Sequence, residues 1–269
     1  MFANGPVILG QYRPLDSYLH RLDARAKMLP VLLVLVLALF TGSLVFYLIL
    51  MFALITALLW SGVGADTLGR NFRPILILVL ITFLYHIIFF QGDSEVLVDI
   101  LGFKITEGAI HNAVFFSLRL LLFVSVAFLI TLTNSPSELA EALAKLLRPL
   151  KKIGVPVHDL ALILFIAIRF IPILYEEFTI IKNAQTIRGV TFTGSFISRV
   201  KKTTAILLPV FVSAISRADD LALAIEARGY KGGRDRTFYS RTHFGAAEVR
   251  FMILVSLAII VLFYFTRHI

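Results

Sequence analysis

Two short segments of the sequence share a pattern that suits molecular recognition. Residues 184–189 read Ala-Gln-Thr-Ile-Arg-Gly and residues 224–229 read Ala-Ile-Glu-Ala-Arg-Gly, so both follow Ala-x-x-x-Arg-Gly. In each segment the glycine is placed to end a helix in the left-handed conformation. The arginine before it would project a planar fork of five N–H donors past the helix end, which suits pairing with carboxylates or backbone carbonyls of a partner. The predicted docking residues are Ala184, Arg188, Gly189, Ala227, Arg228 and Gly229.

Each segment taken alone has a simpler explanation. An arginine in the last turn complements the negative end of the helix dipole by a few tenths to about 1 kcal/mol, and glycine is a common helix terminator. Two copies with the same alanine spacing are less easily explained by capping alone. They favour a pair of docking elements, either for two similar partners or for a pseudo-symmetric dimer.

A second group of polar residues interrupts the apolar stretch Leu160–Ile181. The stretch contains Arg169, Glu176 and Glu177, and also Pro172. Charges inside an apolar helix are typical of ion paths in carriers, but they also form internal ion pairs. We favour an internal ion pair that steadies this part of the chain over an ion path through Arg169 and an acidic neighbour, because Glu176 and Glu177 continue into a polar segment.

Two further polar residues, His86 and Arg119, lie within apolar runs. His86 could relay protons or bind a metal, but the six histidines are scattered, so a packing hydrogen bond is favoured. Arg119 needs a partner or a water-facing position, and the sequence does not name that partner. The chain has no cysteine and no set of nucleophile, base and orienting residue, so we expect neither catalysis nor a metal site.

The composition is that of a membrane protein. Of the 269 residues, 58% are hydrophobic and 16% are charged, whereas a soluble domain is about half apolar and roughly a quarter charged. The apolar residues form long runs, and a membrane span needs about 20 of them. The formal charge of +9 then indicates cytoplasmic loops rich in lysine and arginine rather than nucleic-acid binding. We predict an all-α membrane protein with about five transmembrane helices.

The distribution of charge predicts four regions. Residues 1–27 are basic and are expected in the cytoplasm as the amino-terminal segment. Residues 28–133 contain transmembrane helices one to four, with a basic loop at 61–73 and an acidic outer loop before the fourth span. Residues 134–245 hold most of the basic residues and form a cytoplasmic module of long amphipathic helices, and residues 246–269 form the last span.

The predicted module is expected to begin with a capped helix. Ser135 and Glu138 have the spacing of a capping box, and Pro136 stands at the first helical position. The apolar stretch Leu160–Ile181 is long enough to cross a membrane, but its charges and proline interrupt it. Hydropathy alone does not decide its location, and we assign it to the module near the cytoplasmic face.

These features together resemble a known family, the transmembrane T component of energy-coupling factor (ECF) transporters, which take up vitamins and transition metals in prokaryotes. The resemblance covers nearly the whole chain. Residues 19–27 are similar to the family's Leu-Asp-Pro-Arg-x-Lys pattern, with Ala24 in place of proline. The other matching blocks are Arg169–Pro172, Glu176-Glu177, Ala184-Gln185 with Arg188-Gly189, and Glu226–Tyr230.

The resemblance implies a non-catalytic scaffold in the prokaryotic cell membrane. Such a scaffold binds no nucleotide. It links two ATP-binding-cassette ATPases, a hetero- or homodimer that uses ATP and Mg²⁺, to a small membrane S component that binds the vitamin. Arg188 and Arg228 would each dock into one ATPase, and the long helices between Pro136 and Gly229 would couple ATPase movement to the S component. The candidates for structural or coupling roles are Asp23, Arg25, Arg169, Pro172, Glu176 and Glu177.

Two alternatives stay open at this point. The chain could be the T subunit of a dedicated cobalt or nickel importer, since linked subunits rather than this sequence would reveal the substrate. It could also be a self-contained, ion-coupled secondary carrier, although discontinuous helices in inverted repeats and paired intramembrane carboxylates are not evident. A membrane-integrated enzyme is disfavoured because no catalytic set is present.

Overall fold

The computed structural model describes residues 17–62, 64–90, 96–100, 103–230, 232 and 244–267. Residues 1–16 of the predicted amino-terminal segment and part of the predicted outer loop lie outside the described residues. The elements, in chain order, are α1 (Tyr18–Arg21), α2 (Ala24–Phe40), α3 (Leu44–Trp60), α4 (Ala65–Phe89), β1 (Val96–Ile100), β2 (Phe103–Thr106), α5 (Glu107–Thr133), α6 (Pro136–Leu146), a 3₁₀ helix (Arg148–Ile153), α7 (Val157–Ile187), α8 (Phe196–Ala227) and α9 (Ala246–Arg267). The protein is an all-α membrane protein, as predicted.

Four of the described helices are long and apolar enough to cross a membrane. They are α4 from Phe72 onward, α5, α7 and α9. Helix α3 is apolar but shorter, and α2 has the same 17-residue length and begins with charged residues. Helix α7 therefore has the length and composition of a membrane span, whereas from the sequence its apolar stretch is assigned to the cytoplasmic module. That assignment remains a prediction.

The chain divides into two units, residues 1–142 with 240–269, and residues 143–239. In the first unit α5 packs against α2, α3 and α4, while α9 packs against α2 and α3. Their facing side chains form one apolar core, because burying a helix stripe against its neighbours is what holds such a bundle together. The core includes Val34, Ala38, Phe46, Tyr47, Leu50, Leu54, Phe115, Leu122, Val126, Phe128, Leu132 and Ile259.

Two segments of the first unit differ from expectation. The predicted loop 61–73 is helical from Ala65, so Pro74 lies inside α4 rather than at its start. The reason is that hydropathy marks only the apolar part of a helix, while the backbone can continue its hydrogen bonds into polar residues beyond it. The predicted outer loop contains an antiparallel hairpin, in which Ile100 pairs with Phe103 and Asp99 with Lys104.

Helix α6 begins as the sequence predicted. The Ser135 backbone N–H donates to Oε2 of Glu138 at 2.9 Å, and the Glu138 N–H donates to Oγ of Ser135 at 3.2 Å. Pro136 is the first helical residue, where its missing N–H costs no hydrogen bond. The capping box therefore marks the start of the segment that leads out of α5.

In the second unit α7 and α8 form an antiparallel pair. The Tyr230 hydroxyl, just past the end of α8, donates to Oδ1 of Asp159 near the start of α7 at 2.7 Å. Midway along the helices Arg217 pairs with Glu177 at 3.4 Å. At the other end, Lys202 on α8 donates to the backbone carbonyl of Thr191, in the turn between the helices, at 2.5 Å. These contacts align the start of each helix with the end of the other.

Candidate functional site

The carboxyl end of α7 is terminated at Gly189. The Gly189 N–H donates to the Thr186 carbonyl at 3.0 Å, and the Val190 N–H donates to the Gln185 carbonyl at 3.0 Å. Gly189 has a φ of +88°, which is the left-handed conformation that glycine adopts without strain. This arrangement satisfies the last free carbonyls of the helix and leaves Arg188 as its capping residue.

The carboxyl end of α8 is built in the same way. Gly229 has a φ of +77°, and its N–H donates to the Glu226 carbonyl at 2.8 Å. The Tyr230 N–H donates to the Ile225 carbonyl at 3.2 Å, and Arg228 is the capping residue. Both glycines therefore adopt the left-handed conformation that the Ala-x-x-x-Arg-Gly pattern predicts.

The two helix ends also share their exposure. From residue 181 to 190 and from 221 to 230, the sequence of exposed and partly buried positions is the same at every step. Arg188 and Arg228 are both exposed, and in the part of the chain that the structure describes neither guanidinium has an ion pair or a hydrogen bond. Ile187, beside the first arginine, is 87% exposed. Both ends therefore expose an arginine, and the first also exposes an adjoining apolar side chain.

The antiparallel arrangement separates these two ends. Arg188 lies beside the start of α8, whereas Arg228 lies beside the start of α7. Because α7 has 31 residues, the two arginines are separated by about 45 Å along the pair. A single groove on one small partner could not accept both, so the geometry suits two separate binding sites.

One of the charged residues inside α7 forms an ion pair. Glu177 pairs with Arg217 of α8 rather than with Arg169, and among the described residues neither Arg169 nor Glu176 has an ion-pair partner. The predicted internal ion pair is therefore present, but it joins two helices and does not include Arg169, because seven or eight residues separate Arg169 from the two glutamates and ion pairs along a helix need a spacing of three or four. Pro172 lies inside α7, where it removes one backbone hydrogen bond.

The amino-terminal block organises the start of α2. Asp23 caps the helix, with Oδ1 accepting from the Arg25 N–H at 2.9 Å, and its carboxylate also pairs with the Arg25 guanidinium at 2.9 Å. The same guanidinium stacks over the ring of Phe244, 4.5 Å from its centre, just before α9. Asp23 and Arg25 thus connect the beginning and the end of the first unit, and the structure gives them a packing role.

Lys27 is a residue whose importance sequence reasoning missed. Its side chain is buried, and Nζ donates to the Leu19 carbonyl at 2.8 Å and to the Thr133 carbonyl, at the end of α5, at 3.1 Å. Burial lowers the pKa of Lys27 to about 8, opposed by the nearby charges of Glu138 and Asp23. The sequence feature that could have indicated this role is the position of Lys27 directly before the first apolar run.

We expect this lysine to make stability depend on pH. Because its pKa is lower in the folded protein than in the unfolded chain, the unfolded state binds more protons between about pH 8 and pH 10.5, and stability rises with pH there. From pH 7 to pH 9.5 the gain is about 2 kcal/mol. When unfolding is measured in detergent at several pH values, the Lys27→Met variant should lack this increase in stability. Identical pH profiles for the two proteins would contradict the assignment.

Arg119 lies inside the core of the first unit and has partners on two other helices. Its Nη2 donates to the carbonyls of Ala38 and Leu39 at 2.6 and 3.0 Å, and its Nε donates to the Tyr47 hydroxyl at 2.9 Å. The two carbonyls belong to the last turn of α2 and have no partner within that helix. Arg119 thus caps the carboxyl end of α2, so this charge within an apolar helix has a structural role.

His86 is engaged in packing. Its Nδ1 lies 2.8 Å from the Thr82 carbonyl, and its ring stacks on Phe116 of α5 with centroids 4.5 Å apart. This agrees with the packing hydrogen bond favoured from the sequence. His86 and Arg119 therefore have packing partners, whereas Arg188 and Arg228 are exposed and, among the described residues, have none.

Comparison with known proteins gives consistent matches over nearly the whole chain. A family described as "Cobalt transport protein" (CbiQ) matches residues 16–239. The chain is 43% identical over 254 residues to the energy-coupling factor transporter transmembrane protein EcfT of Brevibacillus brevis, covering 93% of this chain and 96% of the relative. It is 41% identical over 262 residues to the EcfT protein of Acidaminococcus fermentans, covering 97% of each. It is 36% identical to that of Lactococcus lactis subsp. cremoris, covering 97% and 98%.

Proposed function

The chain belongs to this family of energy-coupling factor transporter transmembrane proteins, and from that premise we propose that it is the scaffold that couples two ATPases to a substrate-binding subunit. It is a multi-pass membrane protein and a component of a transporter. In the proposal its amino terminus is cytoplasmic, in a prokaryotic cell membrane. It catalyses no reaction itself.

The observation that carries the proposal is the pair of matched helix ends at Arg188 and Arg228. Each combines a left-handed glycine, adjoining exposed surface and an exposed arginine that has no partner among the described residues. A fixed guanidinium fork suits an acidic or carbonyl-lined groove, because Arg forms planar, bidentate contacts. Two ends about 45 Å apart support docking to two ATPases, one at each end.

The surface between these ends supports contact with a membrane subunit. Large apolar side chains on α7 and α8 are exposed in the second unit, among them Ile171 (65%), Tyr175 (70%), Leu208 (68%) and Phe211 (62%). Exposed apolar area on this scale marks a partner or lipid surface. In the proposal, closure of the ATPases moves the two helix ends, and the apolar faces shift against the S component without breaking strong polar bonds.

ATP and Mg²⁺ are assigned to the partner ATPases, whose closure and hydrolysis would supply the energy. This chain is proposed to bind neither. Its part is to hold two ATPases at a fixed separation and to pass their movement to the membrane subunit. Asp23, Arg25, Pro172, Arg169, Glu176 and Glu177 are proposed to maintain the shape of the scaffold during that movement.

We propose vitamin-type substrates, selected by the S component. The EcfT names of the relatives describe a transporter transmembrane protein and no substrate. The family description names cobalt transport, which keeps a dedicated cobalt or nickel importer as the second candidate. The bound S component would distinguish the two, because the substrate would be bound there.

A pull-down of the tagged chain from its native membranes in mild detergent tests the proposal. We expect two ATP-binding-cassette ATPases, or two copies of one, and a small membrane protein to remain bound. A vitamin-binding small subunit would support the first candidate, whereas a cobalt- or nickel-binding one would support the second.

Reconstitution into proteoliposomes provides the functional control. The complex should take up the S component's substrate only when ATP is supplied, and the chain alone should transport nothing. A chain that purifies without partners and moves solute down an ion gradient in the absence of ATP would overturn the proposal in favour of a secondary carrier.

A further inference from the structure

A short basic segment joins α6 to α7. We name residues 145–153 the basic segment; it contains the last turn of α6 and the 3₁₀ helix Arg148–Ile153. Its cations are Lys145, Arg148, Lys151 and Lys152, and no acidic residue occurs between Glu141 and Asp159. Four positive charges in nine residues produce a local field that attracts anions.

The basic segment presents apolar side chains together with these charges. Every residue of the 3₁₀ helix is exposed, and Ile153 at its end is 78% exposed, with Leu150 at 36%. Gly154 has a φ of +88° and ends the 3₁₀ helix. Single exposed aliphatic side chains are common on water-facing surfaces, but an exposed aliphatic side chain beside clustered cations is also the arrangement that a membrane-surface segment needs, with such side chains below the headgroups.

We propose that the basic segment binds the anionic phospholipid surface of the membrane, with Ile153 inserted among the acyl chains and Arg148 and Lys152 on the lipid phosphates. Lysine and arginine suit this position because their long stems reach from apolar surroundings to charged headgroups. The chain order favours lipid over an acidic protein. Only α6, of 11 residues, separates the basic segment from the spanning helix α5.

The absence of cysteine in this chain permits a direct test. The full-length Ile153→Cys protein carries a nitroxide at one position and is reconstituted into vesicles of phosphatidylcholine alone or with one quarter phosphatidylglycerol. With phosphatidylglycerol we expect the nitroxide to become accessible to oxygen, which concentrates in acyl chains, and to lose access to a water-soluble nickel chelate. This shift should be lost in the Arg148→Glu/Lys152→Glu background.

Two controls keep the test decisive. A nitroxide at Ile187→Cys, on the exposed end of α7, should stay accessible to nickel in both kinds of vesicle when no ATPase is present. Circular dichroism should show the same helix content for all variants, which excludes unfolding. Neither control depends on the scaffold proposal, so failure of the lipid inference and failure of the scaffold can be told apart.

Two results would overturn the inference. The nitroxide at position 153 could remain accessible to nickel whatever the lipid, which would mean a water-facing segment. Alternatively, it could lose access to nickel only when the ATPases are added and independently of phosphatidylglycerol, which would mean that a protein covers the segment.

Discussion

Replacing Arg188 and Arg228 by glutamate together should remove the ATPases from the complex while the chain stays folded. Both guanidinium groups are exposed and have no partner among the described residues, so the substitutions disturb no internal contact. The proposal places each guanidinium in an acidic or carbonyl-lined groove, where a glutamate side chain would meet acceptor groups and be repelled. Losing one charged contact of this kind costs about 2–5 kcal/mol, and each ATPase loses one, so each should bind about 30- to 5,000-fold more weakly to the double variant.

The measurement is the amount of ATPase retained on the tagged chain in mild detergent. A matched control is the Arg73→Glu/Arg250→Glu variant, which makes the same change of charge at two exposed positions of the first unit. This control should retain both ATPases. Equal retention by wild type and by the Arg188→Glu/Arg228→Glu variant would show that the helix ends do not dock.

Replacing Arg119 by leucine should strongly destabilise the first unit. The substitution leaves the Leu39 carbonyl without a donor and removes one of the two donors to the Ala38 carbonyl. The bond to the Leu39 carbonyl is exposed and those to Ala38 and Tyr47 are partly buried, so each lost hydrogen bond should cost about 1 kcal/mol. With the lost bond to Tyr47, we expect the free energy of unfolding to fall by about 3 kcal/mol, measured by thermal unfolding in detergent.

The same substitution at Arg169 is the matched control. Arg169 also lies in an apolar helix, but it is exposed and has no ion-pair partner among the described residues, so Arg169→Leu should change stability little. Arg119→Lys should be intermediate, because an ammonium group lacks the planar fork. An Arg119→Leu protein that is as stable as wild type but inactive would indicate an ion path instead of a closed helix end.

Local signals predicted a large part of this fold. The capping box at Ser135 and the left-handed glycines at 189 and 229 depend on a few neighbouring residues, and all three are present. The apolar runs located the long helices of the first unit to within a few residues, except that α4 begins nine residues before Pro74. These features are governed by backbone hydrogen bonding and hydropathy, which act over short distances along the chain.

The features that the sequence did not reveal depend on contacts between distant residues. The partners of Arg119 lie about 80 positions earlier in the chain, and Lys27 meets the carbonyl of Thr133 across 106 positions. Glu177 pairs with Arg217 of the neighbouring helix, which no pattern along α7 alone could indicate. The antiparallel alignment of α7 and α8 sets the separation of the two helix ends at which docking is proposed. It also depends on contacts between distant residues, so it could not be predicted from the sequence.

Site-specific cross-linking tests the scaffold account most directly. Single cysteines at Ile187 and at Ala227, in a chain that has none of its own, would carry a short photoactivated cross-linker in the assembled complex. Each position should attach to an ATPase subunit, and a cysteine at Leu208, midway along α8 and exposed, should not. ATPase attached at Leu208 while both helix ends stay free would contradict the account.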